Sequence, residues 1–178
     1  MLQRFNAMKI TQAISLASFV VLVGCGVSSK TQVLSSNAPM VTSVGSISFS
    51  IAPAVRKRME DNPGFQEAQL HTTIKDDLTR RKLLLPKSTQ TLDVNVTDLR
   101  VRPGVAVYFG SVFSGKDFVV ADVTVKDAEG KTLKSSNVNV TFGLAGWGSL
   151  GTAARNAQMY ETFARHVAAV VDPSIPLE

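Results

Sequence analysis

Three stretches between residues 92 and 142 alternate apolar and polar side chains, and this alternation limits the fold more than anything else in the chain. Leu92, Val94 and Val96 alternate with Asp93, Asn95 and Thr97; Val119, Ala121, Val123 and Val125 share one face of 118–126; Val138, Val140 and Phe142 share one face of 131–142. Successive strand side chains point to opposite faces, so each stretch requires a strand with one dry face and one wet face. Leu99 and Val101 fall on the opposite parity, which places a bulge near Asp98. Asp127-Ala128-Glu129-Gly130 between the last two stretches has the composition of a hairpin loop, with Gly130 free to take positive φ.

Around these strands the periodicity changes. Residues 43–51 alternate imperfectly through Val44, Ile47, Phe49 and Ile51 as a first strand closed by Pro53. A charged stretch, 56–60, leads into the turn Asp61-Asn62-Pro63-Gly64. Residues 65–84 then form a helix: Leu70, Ile74 and Leu78 recur at four-residue steps, with Asp76/Arg80 and Asp77/Arg81 as supporting pairs, until Pro86 stops it. Arg102-Pro103-Gly104 is a turn and 105–109 a short apolar strand. Residues 152–171 form a second helix with Ala153, Ala157, Tyr160, Ala164, Val167, Ala168 and Val171 as its stripe. With 178 residues and 44% apolar side chains, the chain suits one core. The order of elements predicts an α+β two-layer sandwich: a mostly antiparallel sheet of four to five strands with two helices on one face.

The N-terminus addresses location. Arg4 and Lys9 precede a run of 14 small and apolar residues, 10–23, which has the length of a secretory h-region and is too short to span a bilayer. The run ends in Leu22-Val23-Gly24-Cys25, and Cys25 is the only cysteine of the chain. This segment resembles a bacterial lipoprotein signal, whose Leu-x-Gly-Cys lipobox is matched by Leu22, Gly24 and Cys25. The resemblance implies cleavage after Gly24, a diacylglycerol thioether on Cys25 and acylation of the new amine, palmitate included. Gly26 at the next position resembles lipoproteins passed on to the outer membrane, facing the periplasm, rather than those kept at the inner membrane. The expected organisation is a signal peptide at 1–24, the lipidated cysteine and a flexible tether at 25–41, one domain at 42–172 and a tail at 173–178. Residues 26–41 would span about 20–24 Å as a coil and roughly 50–55 Å stretched. Removal of 1–24 leaves 17 basic against 14 acidic side chains, a balance of +3 that calls for no nucleic acid.

The mature chain also resembles an uncharacterised family of Gram-negative envelope lipoproteins, a domain of unknown function. The likeness runs over the helix ending Leu78-Thr79-Arg80-Arg81-Lys82-Leu83, the strand 92–101, the hydrophobic-glycine stretch 105–115, the alternation 119–125, the turn 127–131 and a small-residue closing helix. It implies a fold and a compartment and carries no activity with it.

Chemistry is sparse. Gly146-Trp147-Gly148-Ser149-Leu150-Gly151 spells G-x-G-x-x-G, yet a dinucleotide site needs a further parallel strand with an acid at its end, and Pro173 and Pro176 break the chain there. Ser149 approaches a nucleophile elbow, but Trp147 replaces its first glycine. His71 and His166, the only histidines, sit on separate helices as surface or boundary residues. Asp93, Asp98, Asp117 and Asp122 read as solvated strand carboxylates. No catalytic residue, metal ligand, cofactor or nucleotide is expected. Trp147 and Leu150 are candidate partner contacts, and the clusters Arg56-Lys57-Arg58 and Arg80-Arg81-Lys82 are candidate contacts to anionic headgroups. The expected function is that of a non-catalytic, lipid-anchored interaction or accessory module for an envelope partner. A lipid or glycolipid carrier with a pocket along 105–118 is the alternative, and an envelope hydrolase a lesser one.

Overall fold

A computed structural model describes residues 27–36, 41–102, 116–142 and 151–177. Its strands are β1 (Val27–Ser36), β2 (Ser46–Ile51), β3 (Thr91–Arg100), β4 (Asp117–Lys126) and β5 (Thr132–Phe142). Its helices are α1 (Pro53–Arg56), α2 (Glu67–Arg80) and α3 (Thr152–Val171), with a 3-10 turn at Met59–Asp61. The five strands form one sheet in the order β1-β5-β4-β3-β2. β1, β5, β4 and β3 pair antiparallel with their neighbours, whereas β2 lies parallel to β3. The chain is thus α+β, with a mixed sheet.

The alternation works as its period requires. Leu92, Val94, Val96 and Leu99 of β3, Val119, Ala121, Val123 and Val125 of β4, and Val138, Val140 and Phe142 of β5 are all buried. They share the core with Leu70, Ile74 and Leu78 of α2 and with Met159, Tyr160, Phe163, Ala164 and Val167 of α3. Pairing of β3 with β4 shifts between Val96 and Asp98, the expected bulge, which returns Leu99 to the dry face. Gly130 adopts φ 81° in the β4–β5 loop.

Four features differ from the sequence expectation. The segment read as a tether contains β1, whose residues 29–34 are half-buried or exposed; it buries too little to leave a pattern, and the open edge of β5 decides its conformation. β2 is parallel to β3 because α1 and α2 carry the chain back to the end at which β2 began. A third helix, α1, begins on Pro53, whose fixed φ suits the first helical turn. Finally, α2 stops at Arg80, well before Pro86: Lys82 turns left-handed at φ 59°, Leu83 N–H donates to Leu78 C=O at 2.9 Å, and Lys82 N–H to Thr79 C=O at 3.0 Å. This pair of bonds is a Schellman termination, with Leu83 packed into the core beside Leu78.

Candidate functional site

β2 ends the sheet, and no described strand lies on its outer side. Its serines Ser46, Ser48 and Ser50 are exposed, while Ile47 and Phe49 on the other parity are half-buried. The first turns of α2 overhang these two residues. Ile47, Phe49, Glu67, Ala68 and His71 line an open groove of about 480 Å³ along the strand. Phe49 and His71 meet as tilted rings with centroids 5.4 Å apart. Arg56 of α1 holds the Glu67 carboxylate through two bonds, of 3.1 and 3.3 Å, so a charged pair closes one end. An edge strand with an apolar floor beside it can accept an extended peptide: main-chain bonds supply affinity, and side chains entering the groove supply selectivity.

A second cleft of about 390 Å³ lies between α2 and α3, lined by Thr73, Asp76, Asp77, Arg80, Glu161, Ala164 and Arg165. Here Asp77 accepts from Arg80 and, at 2.7 Å, from Arg81.

The strongest electrostatic feature is internal, and it corrects the reading of Asp117 as solvated. Asp117 is 3% exposed, and it accepts from Arg102 Nε at 2.7 Å, Arg102 N–H at 3.1 Å and Arg155 Nη1 at 2.8 Å. Arg155 also donates to Arg102 C=O at 3.2 Å. Two guanidinium groups around one buried carboxylate tie the end of β3, the start of β4 and the start of α3 together. Sequence contained one signal for this: Asp117 shares parity with Val119 and Ala121, so it had to face inward.

His166 is also buried rather than at a boundary, at 2% exposure, and its Nδ1 lies 2.7 Å from Thr31 Oγ1 of β1. Burial, and then the charge of Arg165, hold the imidazole below its usual value of 6.5. We read the contact as a latch between β1 and α3.

The remaining expected residues separate. Arg56, Lys57 and Arg58 follow β2, where Arg58 bonds Asp98 at 2.9 Å; Arg80, Arg81 and Lys82 lie at the C-terminal end of α2, so the two clusters do not meet. Asp93 pairs with Lys126, and Asp122 accepts from Asn137 at 2.8 Å, both on the wet face. Cys25, Trp147, Ser149 and Leu150 lie outside the described residues, as does the stretch 105–115. Among the described residues no group of three or more His, Cys, Asp or Glu could hold a metal ion, and no helix is long and apolar enough to cross a membrane.

No family model matches the chain, and no curated protein matches it. Solved structures do. A PelC dodecamer from Paraburkholderia phytofirmans, in a single-substitution variant, is 14% identical, with a TM-score of 0.47 over 85% of this chain and 100% of that one. A second PelC dodecamer from the same organism is 15% identical, with a TM-score of 0.41 over 83% and 99%. A minor lipoprotein from Acinetobacter baumannii is 10% identical, with a TM-score of 0.40 over 74% and 96%.

Proposed function

We propose that the chain is a lipid-anchored, non-catalytic lipoprotein of the bacterial envelope that holds a protein partner by accepting an extended segment of it at the edge of β2. The observation that carries the reading is the open β2 edge with the groove of Ile47, Phe49, Glu67, Ala68 and His71 beside it. The anchor rests on Leu22-Val23-Gly24-Cys25, and Gly26 favours the periplasmic face of the outer membrane. Several acyl chains on Cys25, at about 0.8 kcal/mol per buried methylene, hold the domain stably where a single chain would not. Replacing Cys25 by Ala should release the protein from the membrane fraction; unchanged retention would refute the anchor.

Ala68 is exposed on α2, so Ala68→Arg fills the groove without disturbing the core. In a mild-detergent pull-down followed by mass spectrometry of proteins and lipids, a stoichiometric protein should co-purify with the native chain and with Gln158→Arg, an exposed control on α3. It should be lost with Ala68→Arg. The complex should also slow hydrogen exchange at the amides of Ser46–Ile51. Recovery of extractable lipid and no protein would favour the carrier instead. A Trp147→Ala, Leu150→Ala double variant tests whether that segment adds a second contact.

A further inference from the structure

We infer that the end of the sheet at which β1 begins is the face the domain turns to the bilayer, so that of the two basic clusters only Arg56-Lys57-Arg58 meets lipid headgroups. The inference rests on the anchoring of Cys25 proposed above and concerns what that anchor does to the domain.

Val27 is the first residue of β1 and pairs with Phe142, which in turn pairs with Asp117. Two residue steps separate Cys25 from Val27, a reach of at most about 7 Å. A tether of the length expected from sequence would let the domain tumble tens of ångströms from the membrane; β1 removes that freedom. The strand is paired with β5 from Val27 to Ser36, and the Thr31–His166 hydrogen bond fixes it to α3 as well. The link therefore lengthens only if β1 leaves the sheet.

Register then states what lies at that end. Phe118 pairs with Arg100 and Ile51 with Val96, so the last residues of β2 and β3 point the same way as the first residue of β1. α1 and the 3-10 turn follow β2 there, fixed by Arg58 to Asp98 and by Asn62 Oδ1 accepting from Val101 N–H at 2.8 Å. α3 starts there too, since Arg155 reaches Asp117. The exposed cations Lys57 and Lys116 belong to this end. The opposite end carries the Asp127–Gly130 loop, the start of β2, the end of α2 and the exposed Lys82 and Lys87. β4 runs from one end to the other, about 30 Å over its ten residues. Headgroup attraction fades within about 8–10 Å in physiological salt, so Arg80, Arg81 and Lys82 are out of range when the first end is seated.

The test uses lysine footprinting. Because Cys25 is the only cysteine, a maleimide lipid can place an anchor there on the mature chain whatever the cell does, so orientation and natural acylation are examined separately. Protein anchored in this way to phosphatidylethanolamine–phosphatidylglycerol vesicles is treated with an impermeant amine-acylating reagent and compared with unanchored protein. Lys57 and Lys116 should react several-fold more slowly on vesicles, while Lys82 and Lys87 react at unchanged rates. Protection of Lys82 and Lys87, or equal behaviour at both ends, would overturn the inference. Mass spectrometry of the Cys25 peptide from native membranes reports separately on the anchor: an unacylated peptide would refute that reading without changing the footprint.

Discussion

The two ends of the sheet are built on different physics. At one end Asp117 draws Arg102 and Arg155 into the interior, and three elements depend on a buried carboxylate. At the other, β4 turns into β5 through Asp127-Ala128-Glu129-Gly130, where Lys131 N–H donates to Asp127 Oδ1 at 2.8 Å and Gly130 supplies the positive φ. The second end is local chemistry, contained in five consecutive residues. The first joins residues 15, 38 and 53 positions apart in sequence. It should therefore be the end where one substitution does most damage.

The middle of β4 sets the scale. Val123 is fully buried and Thr124 faces the wet side. Val123→Asp buries an unpaired carboxylate and should prevent folding, seen as loss of the cooperative urea transition, whereas Thr124→Asp should shift the midpoint only slightly. Equal effects would mean that the faces are wrongly assigned.

Asp117→Asn comes next. It leaves two buried guanidinium groups without their carboxylate, and loss of one partner of a buried pair costs about 3–5 kcal/mol. Asp98→Asn at the exposed Arg58 pair should cost less than about 1 kcal/mol. If urea denaturation gave the two variants the same stability, the contrast between interior and surface charge would collapse.

Gly130→Ala tests the opposite end. Nothing lies within 4 Å of the new methyl, so only the left-handed backbone resists it, at about 1 kcal/mol. Gly45→Ala would sharpen the point, because its methyl would lie 1.9 Å from Ser88 C=O and should destabilise far more.

His166 provides the smallest effect, visible through pH. Its folded pKa lies below 6.5, so near that pH the unfolded chain binds a proton that the folded chain refuses. Stability is then complete above about pH 6.5 and declines as pH falls towards the folded pKa. The urea midpoint should drop on acidification, and His166→Gln should flatten that part of the profile. A slope unchanged in the variant would assign the acid sensitivity to other groups.

Much of this architecture was legible because it is periodic or local. The dry faces of β3, β4 and β5, the bulge near Asp98, the 127–130 loop and the bounds of α3 follow from spacing within a few residues. β2 and α2 were legible in kind, although the Schellman end at Lys82 carries no glycine to announce it. The candidate site was legible only in pieces. Phe49 and His71 belong to separate elements, 22 positions apart, and nothing in either segment brings them face to face.

By itself, then, the sequence determined which side chains of β3, β4 and β5 must be dry. These are properties of neighbours along the chain, where a period of two or 3.6 turns composition into geometry. Tertiary structure alone decided that β1 leaves the tether for the edge of β5, that β2 lies parallel to β3 with an open groove beside it, and that Asp117 meets two arginines. Each of these joins residues far apart in sequence, and its free energy exists only once the sheet and helices have closed around it.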